Sequence, residues 1–517
     1  MGDPKNLAWR ALAGLKRNLN RVVVVDRTGY RRKTLRAGRL LATAAALAGL
    51  TCEIKEVRVG ILLPPGIGCW ITNLAVALAG KSSVNLNFTA STPAIQKMIN
   101  ASGINTIISA RAMRERLSEF PWTREVWNLE EILKSPGMKS KVLKKFVQAH
   151  WLSTAALAKK WGIKEFVEEE ATLLFSSGST GIPKGVPLTH ENIGANIDQI
   201  AAIGLLPRQT RLLACLPIFH SFGLTVTLWY PLCHPLTVIT SPNPIDAPAI
   251  ARAVKKERAN VLMGTASFFR LYLREVRKSD FLTLKSVIAG AEKTPRGLHE
   301  KWEATFGSRY LEGYGLTETS PVVSVNLPHD NRVGTVGYPL KGILARVVDI
   351  ATREVLSKAG ERGVIELKGK NIFSGYLDEP KLNSEIFHDG WFWTGDVGSI
   401  TPEGRLVIEG RLRRFSKIAG EMVPHGAVEE AIAAVYGWHE GSQIPLAVTG
   451  VFDEKKGECL VAISEQAIDM ADLRSRLQKH GLPNLWIPKK IIVVDALPHL
   501  PSGKLDLQKL VEMAMNS

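Results

Sequence analysis

Between residues 57 and 289, short apolar runs rich in β-branched residues alternate with helical patterns. The runs fall at 57–63, 106–109, 172–175, 211–217, 260–264 and 286–289. This alternation marks βαβ units, in which parallel strands are buried on both faces by crossover helices. After Asn331 the texture changes to short strands with glycine turns, at 345–349, 363–368 and 406–409. That pattern reads as a small antiparallel sheet or barrel. A boundary is expected at 410–413, followed by a compact α+β domain. A chain of 517 residues is expected to divide into more than one domain.

Two long uncharged stretches are weighed against membrane insertion. Residues 59–80 are interrupted by Pro64, Pro65 and Gly66, and read as a strand, a turn and a helix over about 69–80. Residues 212–240 carry prolines and histidines and read as buried α/β core. The N-terminus shows no secretory pattern. The five cysteines (Cys52, Cys69, Cys215, Cys233 and Cys459) are scattered, without CxxC spacing or a Cys/His cluster. They read as reduced, buried, small hydrophobes of a cytoplasmic protein.

The net charge of +17 is uneven. Residues 1–60 hold 13 basic and 4 acidic side chains, whereas residues 411–517 hold 13 of each. A second basic cluster runs from Lys139 through Lys141, Lys144 and Lys145 to Lys159, Lys160 and Lys164, interleaved with Val142, Leu143, Phe146, Trp151 and Leu152. It reads either as a solvated face or as a contact for an acidic protein or an anionic membrane. No nucleic-acid motif accompanies the charge, so nucleic acid is not an expected partner.

The stretch Thr172-Leu-Leu-Phe-Ser-Ser-Gly-Ser-Thr-Gly-Ile-Pro-Lys-Gly-Val186 says most about chemistry. A buried strand end leads into a small hydroxyl-rich loop of Ser176, Ser177, Gly178, Ser179, Thr180 and Gly181, with Lys184 at its far side. Small residues let backbone N–H groups, hydroxyls and an ammonium approach phosphate oxygens closely. A flexible turn has the same composition, but a lysine directly after a strand and loop favours phosphate binding. The spacing is not that of a Walker P-loop.

The loop resembles the signature of the adenylate-forming superfamily, which includes acyl-CoA synthetases, luciferases and peptide-synthetase adenylation domains. Further matches follow in that family's order: Leu216-Pro-Ile-Phe-His-Ser-Phe-Gly223, Gly290-Ala-Glu292, Glu312-Gly-Tyr-Gly-Leu-Thr-Glu318, Trp393-Thr-Gly-Asp396, Gly410-Arg411 and Leu500-Pro-Ser-Gly-Lys504. The resemblance implies an α/β fold: a large N-terminal domain (1–410) of two doubly wound sheets plus a small β-barrel, and a smaller mobile α+β C-terminal domain (411–517). It also implies ATP and Mg²⁺.

By that resemblance, Ser176 to Lys184 hold the β- and γ-phosphates, Thr317 contacts the α-phosphate and Glu318 binds Mg²⁺. Tyr314 lies against adenine, framed by Gly290, Ala291, Glu292, Glu312, Gly313 and Gly315. Asp396 accepts the ribose hydroxyls, with Arg411 nearby; alone, Thr-Gly-Asp is an ordinary turn. His220, alone a satisfied core histidine, borders the acyl carboxylate in the family. Lys504, alone a surface lysine, becomes the lysine that bridges ATP and carboxylate. Arg413 occupies the hinge position, where Asp or Lys is usual, and Arg414 replaces a common Asp. Lys417-Ile-Ala-Gly420 resembles the face that the C-terminal domain presents for thioester formation.

Leu216 to Leu224, Ala289-Gly-Ala-Glu-Lys293, Leu311-Glu-Gly-Tyr-Gly315, Val323-Ser-Val-Asn326 and Val84-Asn-Leu-Asn87 resemble acyl–acyl-carrier-protein synthetases. That branch includes the synthetase half of fused acylglycerophosphoethanolamine acyltransferases. None of the eleven histidines has Asp five residues later, so no acyltransferase H-x-x-x-x-D motif is present and a stand-alone synthetase is expected. The implied enzyme is an acid–thiol ligase that activates a fatty acid and passes it to the phosphopantetheine thiol of acyl carrier protein. The alternatives are a fatty acyl-CoA synthetase and a non-catalytic adenylate-binding protein. The expected location is cytoplasmic, with peripheral membrane contact as an option.

Overall fold

In the computed structural model, residues 6–28, 32–176, 183–419, 421–438, 444–453, 457–499 and 505–516 are described. The alternating runs form two twisted, mainly parallel sheets. One has six strands in the order Glu125–Asn128, Thr106–Ser109, Arg58–Leu62, Ser82–Asn85, Glu170–Ser176 and Lys184–Thr189. Only the last pairs antiparallel, with Ser176 opposite Lys184. The other has eight strands, with Val22–Asp26, Thr237–Thr240, Arg211–Ala214, Val261–Gly264, Ser286–Ala289 and Arg309–Gly315 parallel. Antiparallel edges, Lys33–Arg36 and Val322–Val325, close its two sides.

Parallel strands need both faces covered, which explains the nearly unbroken apolar character of these runs. The helix Ala37–Thr51 buries residues on almost every side, and Ile67–Leu78 buries ten in succession from Cys69. Behind the larger sheet, Phe269, Tyr272, Trp302 and Tyr310 pack edge to face, with Phe269 and Trp302 centroids 5.1 Å apart.

The element expected as a small sheet or barrel is an antiparallel five-stranded sheet. Trp391–Ile400 pairs with Gly363–Lys368, Phe387–His388 and Leu406–Arg411, and Leu344–Val348 lines the far edge. Residues after 414 form separate sheets: a hairpin of Phe415–Ile418 with Glu421–Pro424, and Leu446–Asp453, Gly457–Ser464 and Lys490–Val493. This α+β portion, following an α/β portion, matches the expected fold class.

Three cysteines are buried as expected, but Cys52 is exposed, because it caps the end of Ala37–Thr51 where that helix reaches the surface. Among the described residues no helix is long and apolar enough to cross a membrane. Residues 222–229, within the second uncharged stretch, form a π-helix, Phe222–Trp229. Gly223 permits it: a Cβ there would lie 2.1 Å from the Pro217 carbonyl oxygen.

His190 opens the helix His190–Ala202, whose N-terminus is closed by a reciprocal Thr189–Asn192 capping box. Its Nδ1 accepts from the Leu7 N–H at 3.4 Å, and burial pulls its pKa down to about 4. A positive charge is further disfavoured at a helix N-terminus. Below pH ~6.5 the unfolded chain takes up a proton that folded His190 refuses, so this contribution to stability shrinks as pH falls toward about 4. The stability advantage of wild type over His190→Gln is therefore expected to decline by roughly 2–3 kcal/mol between pH 7 and 4. Urea midpoints across that range test this; a constant difference contradicts it.

Candidate active site

Ligands of open parallel sheets sit beyond the carboxyl ends of the strands. Here the ends of Ser286–Ala289 and Arg309–Gly315, paired through Ala289 and Glu312, deliver Gly290-Ala-Glu292 and Glu312 to Gly315 side by side. Ala291 has φ +67°, a left-handed conformation that costs a non-glycine residue energy and recurs at ligand sites. Gly290 admits the Phe222 ring, which would lie 3.2 Å from a Cβ at that position. The Glu292 carboxylate turns away to accept from Ser267 N and Oγ at 3.0 and 2.7 Å. Burial pushes the Glu312 carboxyl up, with a hydrogen bond from Thr294 opposing it. Gly313 packs close to the backbone of the Val322–Val325 edge strand.

Asp396 is the centre of this site. It is 3% exposed and lies on Trp391–Ile400, directly opposite Arg411 of Leu406–Arg411. Tyr314 Oη donates to Asp396 Oδ2 at 2.5 Å, and Arg411 Nε lies 2.8 Å from Oδ1. Arg411 also donates to the Thr394 carbonyl at 3.0 Å, while Thr394 Oγ1 accepts from the Asp396 N–H. Burial pushes the Asp396 carboxyl up against the opposing pull of Arg411 and Tyr314, and burial also raises the Tyr314 phenol. Tyr314 therefore stays a protonated donor. A carboxylate offers about four lone-pair directions, so Asp396 retains capacity for ligand hydroxyls.

A second carboxylate sits in the turn after Arg309–Gly315. Glu318 is 8% exposed, and its Oε1 accepts from Tyr376 Oη at 2.7 Å. Its carbonyl accepts from Phe373 N, and Leu377 N donates to the Gly185 carbonyl, each at 2.9 Å. The segment carrying Tyr376 thus ties Glu318 to the start of Lys184–Thr189. Lys184 Nζ lies 5.2 Å above the Tyr376 ring, within cation–π range. Burial and then Glu318 raise the Tyr376 phenol, with Arg411 and Arg413 pulling the other way. Tyr376 escaped the sequence reading because its partners lie 58 and about 190 positions away, and no periodicity marks it.

Thr317 receives a 3.4 Å hydrogen bond from Ser221 Oγ, which places the His220 segment against the same turn. His220 is exposed, so the lone-residue reading as a core histidine fails. Its ring lies against Phe219, which meets Phe88 edge on at 5.4 Å. Arg411 is held by Asp396 and Thr394, whereas Arg414 pairs with Glu429 and donates to the Val448 carbonyl. Leu412 and Arg413 lie between these anchors in a short 3₁₀ turn. Across the junction, Lys293 and Arg296 approach Glu430 at 3.8 Å. Ser177, Gly178, Ser179, Thr180, Gly181 and Lys504 lie outside the described residues, as does Gly420.

This constellation, two buried carboxylates with distinct partners at the carboxyl edge of a doubly wound sheet, suits a nucleotide and its phosphates. The chain belongs to the family of AMP-binding enzymes, whose model matches residues 13–377. It is 28% identical over 492 residues to a long-chain-fatty-acid–CoA ligase of Salmonella typhimurium, covering 89% of this chain and 86% of that one. It is 31% identical over 352 residues to a sulfoacetate–CoA ligase of Cupriavidus necator, covering 66% and 67%. The structure superposes on ATP-bound MatB from Rhodopseudomonas palustris with a TM-score of 0.81 at 26% identity, covering 98% of each chain.

Asp396→Asn keeps the side-chain volume but leaves Arg411 without its charged partner, and is expected to weaken AMP binding about tenfold or more. Tyr314→Phe removes one hydrogen bond and should cost a few-fold, about 1 kcal/mol. Equilibrium titration with AMP tests both; wild-type affinity in Asp396→Asn contradicts the placement of the nucleotide.

Proposed function

We propose that this protein is an ATP-dependent acid–thiol ligase that activates a fatty acid as its acyl adenylate and transfers the acyl group to coenzyme A. The observation that carries the reading is the presence of two buried, differently held carboxylates: Asp396, bonded to Tyr314 and Arg411, and Glu318, bonded to Tyr376. Whole-chain similarity to a long-chain-fatty-acid–CoA ligase supports the acid class and the acceptor. The sulfoacetate ligase shows that relatives handle different acids, so the fatty-acid assignment rests on the longer match.

In the first half-reaction a carboxylate oxygen attacks the α-phosphorus of ATP and pyrophosphate leaves. In the second, a thiolate attacks the acyl carbonyl and AMP leaves. Asp396 would hold the ribose hydroxyls, Tyr314 the adenine face, and Thr317 the α-phosphate. Lys184 would meet the outer phosphates together with Ser176, Ser177, Gly178, Ser179, Thr180 and Gly181. His220 would border the acyl carboxylate.

Glu318 fits Mg²⁺, which takes one or two carboxylates plus substrate phosphates and waters. Its protein partner is a neutral phenol, and no group of three or more His, Cys, Asp or Glu among the described residues forms an all-protein metal site. The ion would neutralise phosphate charge as it builds in the transition state.

The proposed division is 1–410 and 411–517, with rotation about Arg413. Arg411 is anchored to the preceding portion and Arg414 to the following one, which leaves Leu412 and Arg413 as the segment able to absorb a backbone change. Arg413→Pro fixes φ and is expected to preserve acyl-AMP formation while losing thioester formation. Equal losses in both half-reactions contradict the hinge. Lys504→Ala is expected to slow fatty-acid-dependent pyrophosphate exchange about 100-fold or more, while sparing thioester formation from preformed acyl-AMP. An unchanged exchange rate contradicts that role.

Acyl carrier protein is the second reading, favoured by the motifs around Leu216 to Leu224; the basic charge of residues 1–60 suits an acidic carrier protein and the phosphates of coenzyme A alike. The relatives' names put coenzyme A ahead of it. Thioester formation measured side by side with equal coenzyme A and carrier protein decides: faster reaction with coenzyme A is expected, and faster reaction with carrier protein reverses the order.

A further inference from the structure

The helix Met138–Trp151 lies apart from the residues assigned to catalysis. It packs on Ala37–Thr51, with Phe146 so close to Gly38 that a Cβ there would sit 3.1 Å from the ring, and it buries Met138 and Ala149. Leu143, Val147 and Trp151 point the other way and are 63%, 48% and 84% exposed. Their i, i+4, i+8 spacing aligns them in one apolar stripe along the outward face. Helix geometry places exposed Lys139 and His150 on one flank of that stripe, and exposed Lys141 and Lys144 on the other.

The charge around the stripe has one sign. Residues 138–164 contain seven lysines and no Asp or Glu. Among the described residues, the one ion pair these lysines make is Lys164 to Glu169 at 3.7 Å. Lys145 instead lies 4.9 Å from the Trp161 ring, held within the fold. Among the described residues, no carboxylate makes an ion pair with the lysines on the outward face.

We propose that this face docks the protein on an anionic lipid surface. Leu143, Val147 and Trp151 enter the boundary between headgroups and acyl chains, and the flanking lysines reach lipid phosphates. A convex apolar ridge with an exposed tryptophan and flexible cationic side chains suits that boundary, where lysine stems bury their methylenes and leave the ammonium in the headgroups. Each lysine near an anionic surface strengthens binding about fivefold. An acidic globular partner would satisfy the lysines, but it would also need a groove matching the ridge.

The test uses the full chain and vesicles of phosphatidylcholine with an equal part of phosphatidylglycerol, against phosphatidylcholine alone, in flotation at low and high salt. Wild type is expected to float with the anionic vesicles, and to do so less in high salt. Binding should fall about tenfold or more in the Leu143→Ser, Val147→Ser, Trp151→Ser variant and about 100-fold in Lys139→Glu, Lys141→Glu, Lys144→Glu. AMP affinity serves as the control for folding and should not change. Vesicle addition should also blue-shift a tryptophan emission component that Trp151→Phe lacks. The proposal is overturned if wild type ignores anionic vesicles, or if the ridge variant floats like wild type. It is also overturned if an acidic carrier protein, and not lipid, is retained through these lysines. None of these readouts depends on which acid or thiol the enzyme uses.

Discussion

The buried charge of Asp396 is the constraint on which the site depends. A carboxylate at 3% exposure costs several kcal/mol unless it is paired and hydrogen-bonded. Its partners come from two directions: Tyr314 from the carboxyl end of a strand in the eight-stranded sheet, and Arg411 from the last strand before the C-terminal sheets. Satisfying this one group therefore fixes the large sheet against the five-stranded sheet. It also anchors the point at which the chain leaves for its last hundred residues. The Glu318–Tyr376 bond, with Leu377 N donating to the Gly185 carbonyl and Lys184 over the Tyr376 ring, likewise ties Glu318 to the strand Lys184–Thr189.

The two acids are held differently. Asp396 has a guanidinium beside it, so its charge is balanced within the protein and its remaining lone pairs can orient neutral hydroxyls. Glu318 meets a neutral phenol directly, so this hydrogen bond leaves its charge unneutralised, which is what the proposed Mg²⁺ role requires. Two carboxylates of similar burial thus differ in what holds them: Asp396 has an ionic partner and a phenol, Glu318 a phenol.

Much of this was legible in the sequence, for local reasons. The strands at 106–109, 286–289 and 363–368 have the expected bounds, because a buried β-branched run ends where its turn residues begin. The run at 211–217 stops at Ala214, since Pro217 and the chain approaching the π-helix leave the sheet. The helix expected over about 69–80 begins at Ile67, directly after the Pro64-Pro65-Gly66 turn. The strand Val22–Asp26, with its four consecutive valines, is not among the expected runs, and its partner Thr237–Thr240 lies more than 200 residues onward. The π-helix depends on the approach of Gly223 to Pro217, which no periodicity encodes. Asp396 and Glu318 were readable through their motifs, whereas Tyr376 acquires meaning only when folding brings it to Glu318.

The most direct measurement follows an oxygen atom. With a fatty acid labelled in both carboxylate oxygens with ¹⁸O, attack on the α-phosphorus leaves one labelled oxygen bridging acyl group and phosphate, and thiol attack then expels it with AMP. Mass spectrometry of the products after complete turnover with coenzyme A should find one ¹⁸O in AMP and none in pyrophosphate. Unlabelled AMP, or label in inorganic phosphate released alongside ADP, contradicts an acyl-adenylate route through the Asp396 and Glu318 site.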